Sequence, residues 1–256
     1  MLLLPWHLTD HLPDGLNVTL PPGVVTITGR PGASGRPWAD LAGVYGGLRD
    51  AVAAAAVPPV VLSGDCVACL AVIAGVQQRG IQPGLVWFDA HGDFHTEATT
   101  TSGYLGGLPL AKAVGRGDLT LPAALGMTVL PEESVLLVDG RDLDPPEAAA
   151  LATSRLLRAP VTGLATARLP PGPVIVHVDL DVIDPGSLPG LRFPAPGGPS
   201  RQEVASGIAA VARRREVAAL DIAATWRPAG TDRGQSDAAL RAVLGAAGLA
   251  GEEQAG

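Results

Sequence analysis

The most constraining feature of the sequence is the stretch VWFDAHGDFH at positions 86–95. In it a short apolar run is followed by Asp89, His91, Asp93 and His95 at every second position. Alternate side chains of an extended chain share one face, so these side chains can converge where a strand ends. Carboxylates and imidazoles held together away from water are very costly unless a cation neutralises them. The stretch therefore predicts a metal site at the end of a buried strand.

A second stretch, VIVHVDLD, places His177, Asp179 and Asp181 in the same alternating register. A single D-x-H or D-x-D is commonly a turn or a strand-end cap, but two such motifs at neighbouring strand ends are more specific for metal. Carboxylate-rich ligands with one or two imidazoles suit a divalent metal, Mn²⁺ above all, and the carboxylates suffice to bridge two ions. Two adjacent cations would acidify a shared water and supply hydroxide at neutral pH.

Short apolar runs alternate with helical stretches along the chain. This pattern predicts an α/β fold with a mostly parallel sheet covered by helices on both faces. Strands are predicted in LLLPWHL, VVTITG, VVLSG, LVWFDA, VLLVDG, VIVHVDLD and VAALDIA, and helices at about 38–55, 66–79, 146–155, 201–214 and 236–247. No break in composition divides the chain, so we expect a single domain over residues 1–250 and a flexible tail at 251–256.

Composition excludes several classes of partner. The 256 residues carry a formal charge of −7, and no basic cluster offers the face that a general nucleic-acid binder needs. The opening MLLLPWHL is predicted to be a first strand and not a signal peptide. No apolar segment approaches the roughly 20 residues that cross a bilayer, so no membrane partner is expected. Two cysteines make a disulfide framework improbable and a cytoplasmic location the default.

The stretches SGDC, DAHGD and DLDVIDP together resemble the ureohydrolase family of arginases and agmatinases. That family is marked by Gly-Gly-Asp-His, D-A-H-x-D and D-x-D-x-x-D-P, and the resemblance runs from about Ser63 to Pro228. It implies a three-layer α/β/α fold with a mostly parallel central sheet. It also implies a hydrolase that cleaves the C–N bond of a small guanidine or amidine with a hydroxide bridging two metals. Family members often form trimers or hexamers, so a homo-oligomer is implied.

Carried over position by position, the resemblance implies two metal sites that share Asp89 and Asp179. Asp93 would also accept a hydrogen bond from the attacking hydroxide. The two ions would be Mn²⁺, with Zn²⁺ or Fe²⁺ as alternatives because one ligand is a cysteine. The implied ligands are Cys66, Asp89, Asp93 and Asp179 for one ion, and His91, Asp89, Asp179 and Asp181 for the other.

Two further stretches resemble the substrate-binding segments of the family. TTTSGYLGG would place His95 and Ser102 near the carboxylate end of a substrate, and GRDLDPPE would place Asp144 and Glu147 near its amino group. An equally good interpretation of the second stretch is helix capping, because Asp144 precedes two prolines as an N-cap residue does.

The first departure from the family pattern is Cys66, where a histidine is usual. A cysteine at the start of a helix would have its thiolate favoured by the helix dipole. With Cys69 it also forms a C-x-x-C, which on its own suggests a redox pair. Cys69 lies between Ala68 and Leu70 in a predicted buried helix, which favours a core position instead.

Two more departures concern the substrate. Ala224 stands where the family has a Glu that pairs with the guanidinium, and Gly106 stands where arginases have a proton-shuttling His, a role that His95 would have to take. Losing a charge-assisted contact makes plain arginine a doubtful substrate. Trp226 would cap a less polar substrate or simply pack. The cysteine and the GYLGG loop are similar to the subgroup of the N-hydroxyarginine hydrolase of D-cycloserine biosynthesis, although that enzyme keeps the Glu.

Two competing functions follow from the same residues. The missing Glu and His also fit a metal-binding relative that has lost catalysis and serves as a scaffold or sensor. An amide deacetylase fits less well, because DAHGD is paired here with DLDVIDP. Among the other histidines, His7 and His11 are predicted in core or surface roles, and His177 is predicted to orient a metal ligand.

Overall fold

The computed structural model of the chain describes residues 1–12, 16–224 and 233–249. The predicted tail at 251–256 and Trp226 lie outside the described residues. The strands are β1 (Leu2–Leu4), β2 (Trp6–His7), β3 (Asp10–His11), β4 (Val25–Thr26), β5 (Val60–Ser63), β6 (Gly84–Asp89), β7 (Val135–Asp139), β8 (Leu157–Ala159), β9 (Val174–Asp179) and β10 (Val217–Ala223). The helices are α1 (Pro37–Ala53), α2 (Ala68–Gln78), α3 (Pro109–Ala113), α4 (Thr120–Leu125), α5 (Pro145–Ala152), α6 (Arg201–Ala212) and α7 (Arg233–Ala246).

Within the described residues, eight strands form one sheet in the order β4-β1-β5-β10-β9-β6-β7-β8. All of its pairings are parallel, which confirms the predicted sheet. The strand predicted over LLLPWHL is divided, because Pro5 lacks the N–H that a continuous ladder needs. Its second half pairs antiparallel with β3 in a separate hairpin. Strand β8 was not predicted, since three residues are too few to establish an apolar alternation.

The sheet separates two hydrophobic clusters, which gives three layers. Leu85 and Trp87 of β6 face a cluster that includes α1 and α2, whereas Val86 and Phe88 face a cluster that includes α6 and α7. A strand buried on both faces reads as a continuous apolar run, which is why VWF carried no alternation of its own. The polar residues that end such a strand are therefore the first ones free to build a site.

The helix predictions are correct except at their ends and for short elements. Helix α2 begins at Ala68 and not at Cys66, so Cys66 precedes the helix in a turn. The five- and six-residue helices α3 and α4 are too short to show a helical period and were not predicted. Among the described residues no helix has both the length and the apolar character needed to span a bilayer.

The loop that follows β6 is anchored by Glu97, which no motif singled out. Its carboxylate accepts hydrogen bonds from the indole N–H of Trp38 at 2.7 Å and from the backbone N–H of Asp118 at 2.9 Å. It also pairs with the ammonium of Lys112, a side chain that is fully buried and lies 4.1 Å from the centre of the Trp38 ring. Partial burial raises the pKa of Glu97, but the hydrogen bond from Lys112 outweighs it and brings the pKa to about 2.

We expect Glu97→Gln to lower the free energy of unfolding at neutral pH by about 1–3 kcal/mol, because the buried Lys112 loses its anionic partner. The pKa of Glu97 in the folded state lies below its ordinary value of 4.5. The stability it contributes is therefore present above about pH 4.5 and is lost as the pH falls toward 2. Urea denaturation at a series of pH values should show the difference between wild type and variant narrowing over that interval.

The matched control is Glu133→Gln. Glu133 pairs with the exposed Arg155 at 3.6 Å, so its loss should change stability by less than about 0.5 kcal/mol. A difference between wild type and Glu97→Gln that stayed constant down to the acid limit would contradict the assigned ion pair.

Candidate metal centre and substrate cavity

The register of the sheet brings the candidate residues to one edge. Phe88 of β6 pairs with Val178 of β9, so Asp89 and Asp179 follow at the same level. On the other side of β9, Asp179 is level with Ala223 of β10. The acidic motifs are far apart along the chain, but parallel pairing ends both strands side by side.

The residues after β6 converge by a different route from the predicted one. The strand ends at Asp89, and Asp93 has a φ of 48°, in the left-handed region, so the chain bends instead of staying extended. The bend is held by the carbonyl of Asp93, which accepts hydrogen bonds from the N–H groups of Leu110 and Ala111 at 3.0 and 3.2 Å. The predicted convergence of Asp89, His91 and Asp93 is present, but strand alternation does not produce it. A non-glycine residue held in this conformation is uncommon and is often found at functional sites.

The first group of candidate ligands contains Cys66, Asp89 and Asp93, whose donor atoms all lie within 4.8 Å of one another. The thiol of Cys66 also donates to Oδ2 of Asp179 at 2.9 Å. Oδ2 of Asp93 is buried and has no hydrogen-bond partner among the described residues. Burial raises the pKa of the Cys66 thiol, so the expected lowering by a helix start is wrong in this fold.

The second group contains Asp89, His91 and Asp181, again within 4.8 Å of one another. Nδ1 of His91 lies 3.2 Å from Oδ2 of Asp181 and 3.4 Å from Oδ1 of Asp89. The backbone N–H of Asp181 donates to Oδ1 of Asp179 at 2.9 Å, which fixes the turn after β9. The two groups share Asp89, and Asp179 contacts a member of each. The six residues predicted as ligands are therefore brought together in one place.

The pKa values of these residues show that the chain itself supplies too little positive charge for the carboxylates of the site. Burial raises the pKa values of Asp93, Asp179 and Asp181, and neighbouring carboxylates raise them further, Asp179 to about 6. Burial also raises the pKa of Asp89, but hydrogen bonds and charge from His91 outweigh it. Burial lowers the pKa of His91, whereas Asp181 and Asp89 raise it to about 12. Thiolate, imidazole and carboxylate donors crowded in this way fit two divalent cations such as Mn²⁺, Fe²⁺ or Zn²⁺.

Two partners of these residues were missed at the sequence level. The indole N–H of Trp87 donates to Oδ2 of Asp89 at 2.9 Å and orients that carboxylate. Oδ2 of Asp142 lies 3.8 Å from Nε2 of His91. Outer partners of this kind fix the orientation of metal ligands. Trp87 was read only as part of an apolar strand, and Asp142 could have been noticed as the first acid of GRDLDPPE.

A cavity of about 250 Å³ opens onto the acidic residues. Carboxylates outnumber imidazoles in its wall, so it favours cationic or metal-bound contents. The lining residues are Cys66, His91, Asp93, His95, Tyr104, Gly106, Gly107, Asp142, Asp144, Glu147, Asp179, Asp181 and Phe193.

The residues predicted to hold the substrate form a connected group at one side of this cavity. Nε2 of His95 lies 3.1 Å from Oδ2 of Asp144, and Asp144 also caps α5 by accepting from the N–H of Glu147 at 3.1 Å. Asp144 therefore takes the capping role and still lines the cavity. Glu147 is buried and accepts from the N–H of Phe94 at 2.8 Å. Ser102 is exposed and lies outside the residues that line the cavity, so its substrate role stays a prediction.

The second cysteine belongs to a separate buried cluster. Cys69 and Asp221 are fully buried with His177, whose Nδ1 lies 2.7 Å from Oδ2 of Asp221. The ring of His177 stacks on Trp87 with centroids 3.7 Å apart. Cys69 is therefore a core residue, as predicted, and both cysteines are free. Through Trp87, His177 supports a partner of Asp89.

Comparison with known proteins gives consistent results. Residues 34–247 match the arginase family. An arginase from Eremothecium gossypii is 33% identical over 194 residues, which cover 68% of this chain and 49% of that protein. An N(omega)-hydroxy-L-arginine amidinohydrolase from Streptomyces lavendulae is 30% identical over 186 residues, which cover 71% of this chain and 65% of that protein. The chain thus spans about half to nearly two thirds of the length of these curated relatives.

The fold comparison agrees. The crystal structure of an arginase from Bacillus cereus has a TM-score of 0.76 at 23% sequence identity, and the superposition covers 90% of this chain and 86% of that one. This similarity supports the three-layer α/β/α arrangement.

The assignment of Cys66 as a ligand predicts a spectroscopic signature. Titration of the protein with Co²⁺ should produce a thiolate-to-cobalt charge-transfer band in the near ultraviolet, because a ligating thiol is deprotonated. Cys66→Ala should abolish the band and weaken Co²⁺ binding by at least about tenfold.

Cys69→Ala provides the matched control, since Cys69 is equally buried but faces Asp221. It should retain the band. A band that survives in Cys66→Ala and disappears in Cys69→Ala would place the metal in the other cluster and refute the assignment.

Proposed function

Because the chain belongs to the arginase family, we propose that it is a metal-dependent hydrolase of the C–N bond of a guanidine or amidine. The observation that carries the proposal is the pair of donor groups that share Asp89 at the edge of an acidic cavity. Structural ion pairs do not need so many carboxylates around so few cationic groups. A pair of divalent cations, in contrast, requires several carboxylates to balance its charge.

We assign one cation to Cys66, Asp89, Asp93 and Asp179, and the other to His91, Asp89, Asp179 and Asp181. Mn²⁺ is the proposed metal, and the sulfur of Cys66 makes Fe²⁺ or Zn²⁺ the alternatives. When bound, such a pair of ions lowers the pKa of a water molecule and supplies hydroxide at neutral pH.

The residues of the chain then handle protons and position the substrate. We assign to Asp93, whose Oδ2 has no hydrogen-bond partner among the described residues, the role of accepting a hydrogen bond from the attacking hydroxide and passing its proton to the departing amine. Asp144 and Glu147 bind the cationic amino group at the far end of the substrate, and His95 contacts its carboxylate together with Ser102. His95 and Asp144 are already paired, so one substrate end would engage both.

The family departures favour a weakly basic substrate. Ala224 is fully buried among apolar residues and offers no carboxylate to pair with a guanidinium. Hydroxylation makes a guanidine less basic, so N-hydroxyarginine requires this contact less than arginine does. The relative from Streptomyces lavendulae is named for that substrate. We therefore propose N-hydroxyarginine, or a similar N-hydroxyguanidine, as the substrate class.

A second candidate function rests on the same departures. With Ala224 and Gly106 in place of the family's Glu and His, the site could hold metal without turnover and serve as a scaffold or sensor. We place hydrolysis first because Oδ2 of Asp93 has no hydrogen-bond partner in the described part of the chain and the cavity reaches the ligand groups from outside. A homo-oligomer and a reducing cytoplasm, in which both free cysteines persist, complete the proposal.

The first test of this proposal is a steady-state assay of the manganese-loaded protein on arginine, N-hydroxyarginine, agmatine and guanidino acids. The highest kcat/KM is expected for N-hydroxyarginine, and metal analysis should give about two ions per chain. Two bound ions with no turnover on any of these compounds would favour the scaffold or sensor instead.

The second test concerns Asp93 as the proton carrier. Asp93→Asn should lower kcat at least about 100-fold, because the amide cannot carry the proton. Metal content must be measured alongside, since Asp93 is also an assigned ligand. Asp118→Asn changes an acid outside the cavity and should leave kcat unchanged. An unaltered kcat in Asp93→Asn would remove Asp93 from the proposed proton path.

A further inference from the structure

The space beside Gly106 is occupied by the side chain of its neighbour Tyr104. A Cβ at this position would lie 2.5 Å from both Cε1 and the hydroxyl oxygen of Tyr104. Gly106 is not among the glycines with positive φ, so its backbone does not demand glycine. The ring of Tyr104 therefore fills the volume that a side chain at 106 would otherwise occupy in the cavity wall.

The hydroxyl of Tyr104 is held from two other segments of the chain. Its oxygen lies 2.8 Å from Nε2 of His7, which is in β2, and Nδ1 of His7 lies 3.3 Å from the guanidinium of Arg192, in the loop after β9. The Tyr104 ring also packs against Phe193, with centroids 5.0 Å apart. Two segments that are distant in sequence from Tyr104 thus fix its phenol at the cavity.

This chain of contacts sets the direction of the hydrogen bonds. A guanidinium can only donate, so Nδ1 of His7 accepts from Arg192, and the single ring proton of a neutral His7 lies on Nε2. Nε2–H then donates to the oxygen of Tyr104. The hydroxyl proton of Tyr104 is therefore free to be donated to another acceptor. Among the described residues the hydroxyl has no hydrogen-bond partner other than His7.

The protonation of both residues agrees with this direction. Burial lowers the pKa of His7, and the charge of Arg192 lowers it further, so the ring is neutral near pH 7. The ordinary pKa of a tyrosine hydroxyl is about 10, and burial raises the pKa of Tyr104 further. The phenol therefore stays protonated and remains a hydrogen-bond donor.

We propose that Tyr104 donates a hydrogen bond to the substrate, in the space that a side chain at 106 would fill, and selects a substrate that carries an oxygen acceptor on its guanidine or amidine group. The inference rests on the proposed function and adds the residue that recognises the oxygen of the substrate. A plain guanidinium presents only N–H donors to the wall. The oxygen of an N-hydroxyguanidine presents the acceptor that an O–H donor needs.

The proposal also links two departures from the family pattern, Ala224 and Gly106, because the glycine leaves room for the ring of Tyr104. At 224 the chain has lost a carboxylate acceptor, and at 104 it presents a hydroxyl donor. Both changes move the complementarity of the site in one direction, away from an all-donor cation and toward a group with an accepting oxygen. A donor left without an acceptor in a buried site would count against the unhydroxylated substrate.

The test is Tyr104→Phe in the full-length, manganese-loaded protein. Phenylalanine keeps the ring that fills the space at Gly106 and removes only the hydroxyl. We expect kcat/KM for N-hydroxyarginine to fall about tenfold or more, and kcat/KM for arginine and agmatine to change less than about twofold. Equal losses on hydroxylated and plain substrates, or no loss on either, would overturn the proposal.

Tyr45→Phe is the matched control, because Tyr45 is the other tyrosine of the chain and its hydroxyl is bonded to Asp65. It should leave the ratio of kcat/KM values between N-hydroxyarginine and arginine unchanged. Loss of this discrimination in Tyr45→Phe as well would show a general loosening of the site and contradict a direct contact from Tyr104.

His7 is a positioning residue, and a double-mutant cycle tests it. His7→Gln should reduce the same discrimination in the wild-type background and have no further effect in Tyr104→Phe. His11→Gln changes the exposed histidine of the paired strand β3 and should have no effect in either background. Additive effects of His7→Gln and Tyr104→Phe would overturn the positioning role.

Calorimetric binding of N-hydroxyarginine separates this inference from the proposed function. If the wild-type protein binds it about tenfold more tightly than Tyr104→Phe but turns over none of the compounds, the hydrolase is refuted and the Tyr104 contact stands. If the wild type hydrolyses N-hydroxyarginine and Tyr104→Phe does so equally well, the contact is refuted and the hydrolase stands. If the wild type neither binds nor hydrolyses any of the compounds, both fail.

Discussion

The crowding of ionisable groups at the ends of β6 and β9 is the constraint on which the rest of the site depends. Four aspartates and a cysteine are buried within a few ångströms, with the imidazole of His91 among them. Ionised carboxylates are stable in such a place only when positive charge is supplied. The parallel register, the hydrogen bond from Trp87 and the bend at Asp93 all maintain this arrangement. The protein holds fixed a set of charges that by themselves would separate.

Much of this arrangement could be predicted from the sequence, and for physical reasons. Strands buried on both faces leave a clear record as apolar runs, and the acids that end β6 and β9 are conspicuous because no other residue in these two strands is acidic. Parallel pairing then implies that acids after β6 and β9 meet. Strand alternation correctly predicts that Asp93 lies close to Asp89 and His91, but the chain is not extended at Asp93. Its φ is left-handed, and hydrogen bonds from the N–H groups of Leu110 and Ala111 to its carbonyl hold this bend.

The features that the sequence did not reveal are contacts between distant segments. Tyr104 and His7 are 97 positions apart, and neither belongs to a repeating sequence pattern that would predict a hydrogen bond between them. Glu97 was passed over because a single acid in a polar loop is usually solvated, and only the fold shows that it pairs with a fully buried lysine. The short elements α3, α4 and β8 fall below the length at which apolar periodicity becomes visible.

The steric relation between Tyr104 and Gly106 has a consequence for how such a site can arise by mutation. A side chain introduced at 106 overlaps the tyrosine ring, and removing the ring while 106 is still glycine leaves a hole beside the cavity. A side chain at 106 therefore requires the ring of Tyr104 to move, and loss of the ring leaves a space that a side chain at 106 can fill. The two positions should be inherited together across descendants of one ancestor, and a chain with only one of the two exchanges should be rare.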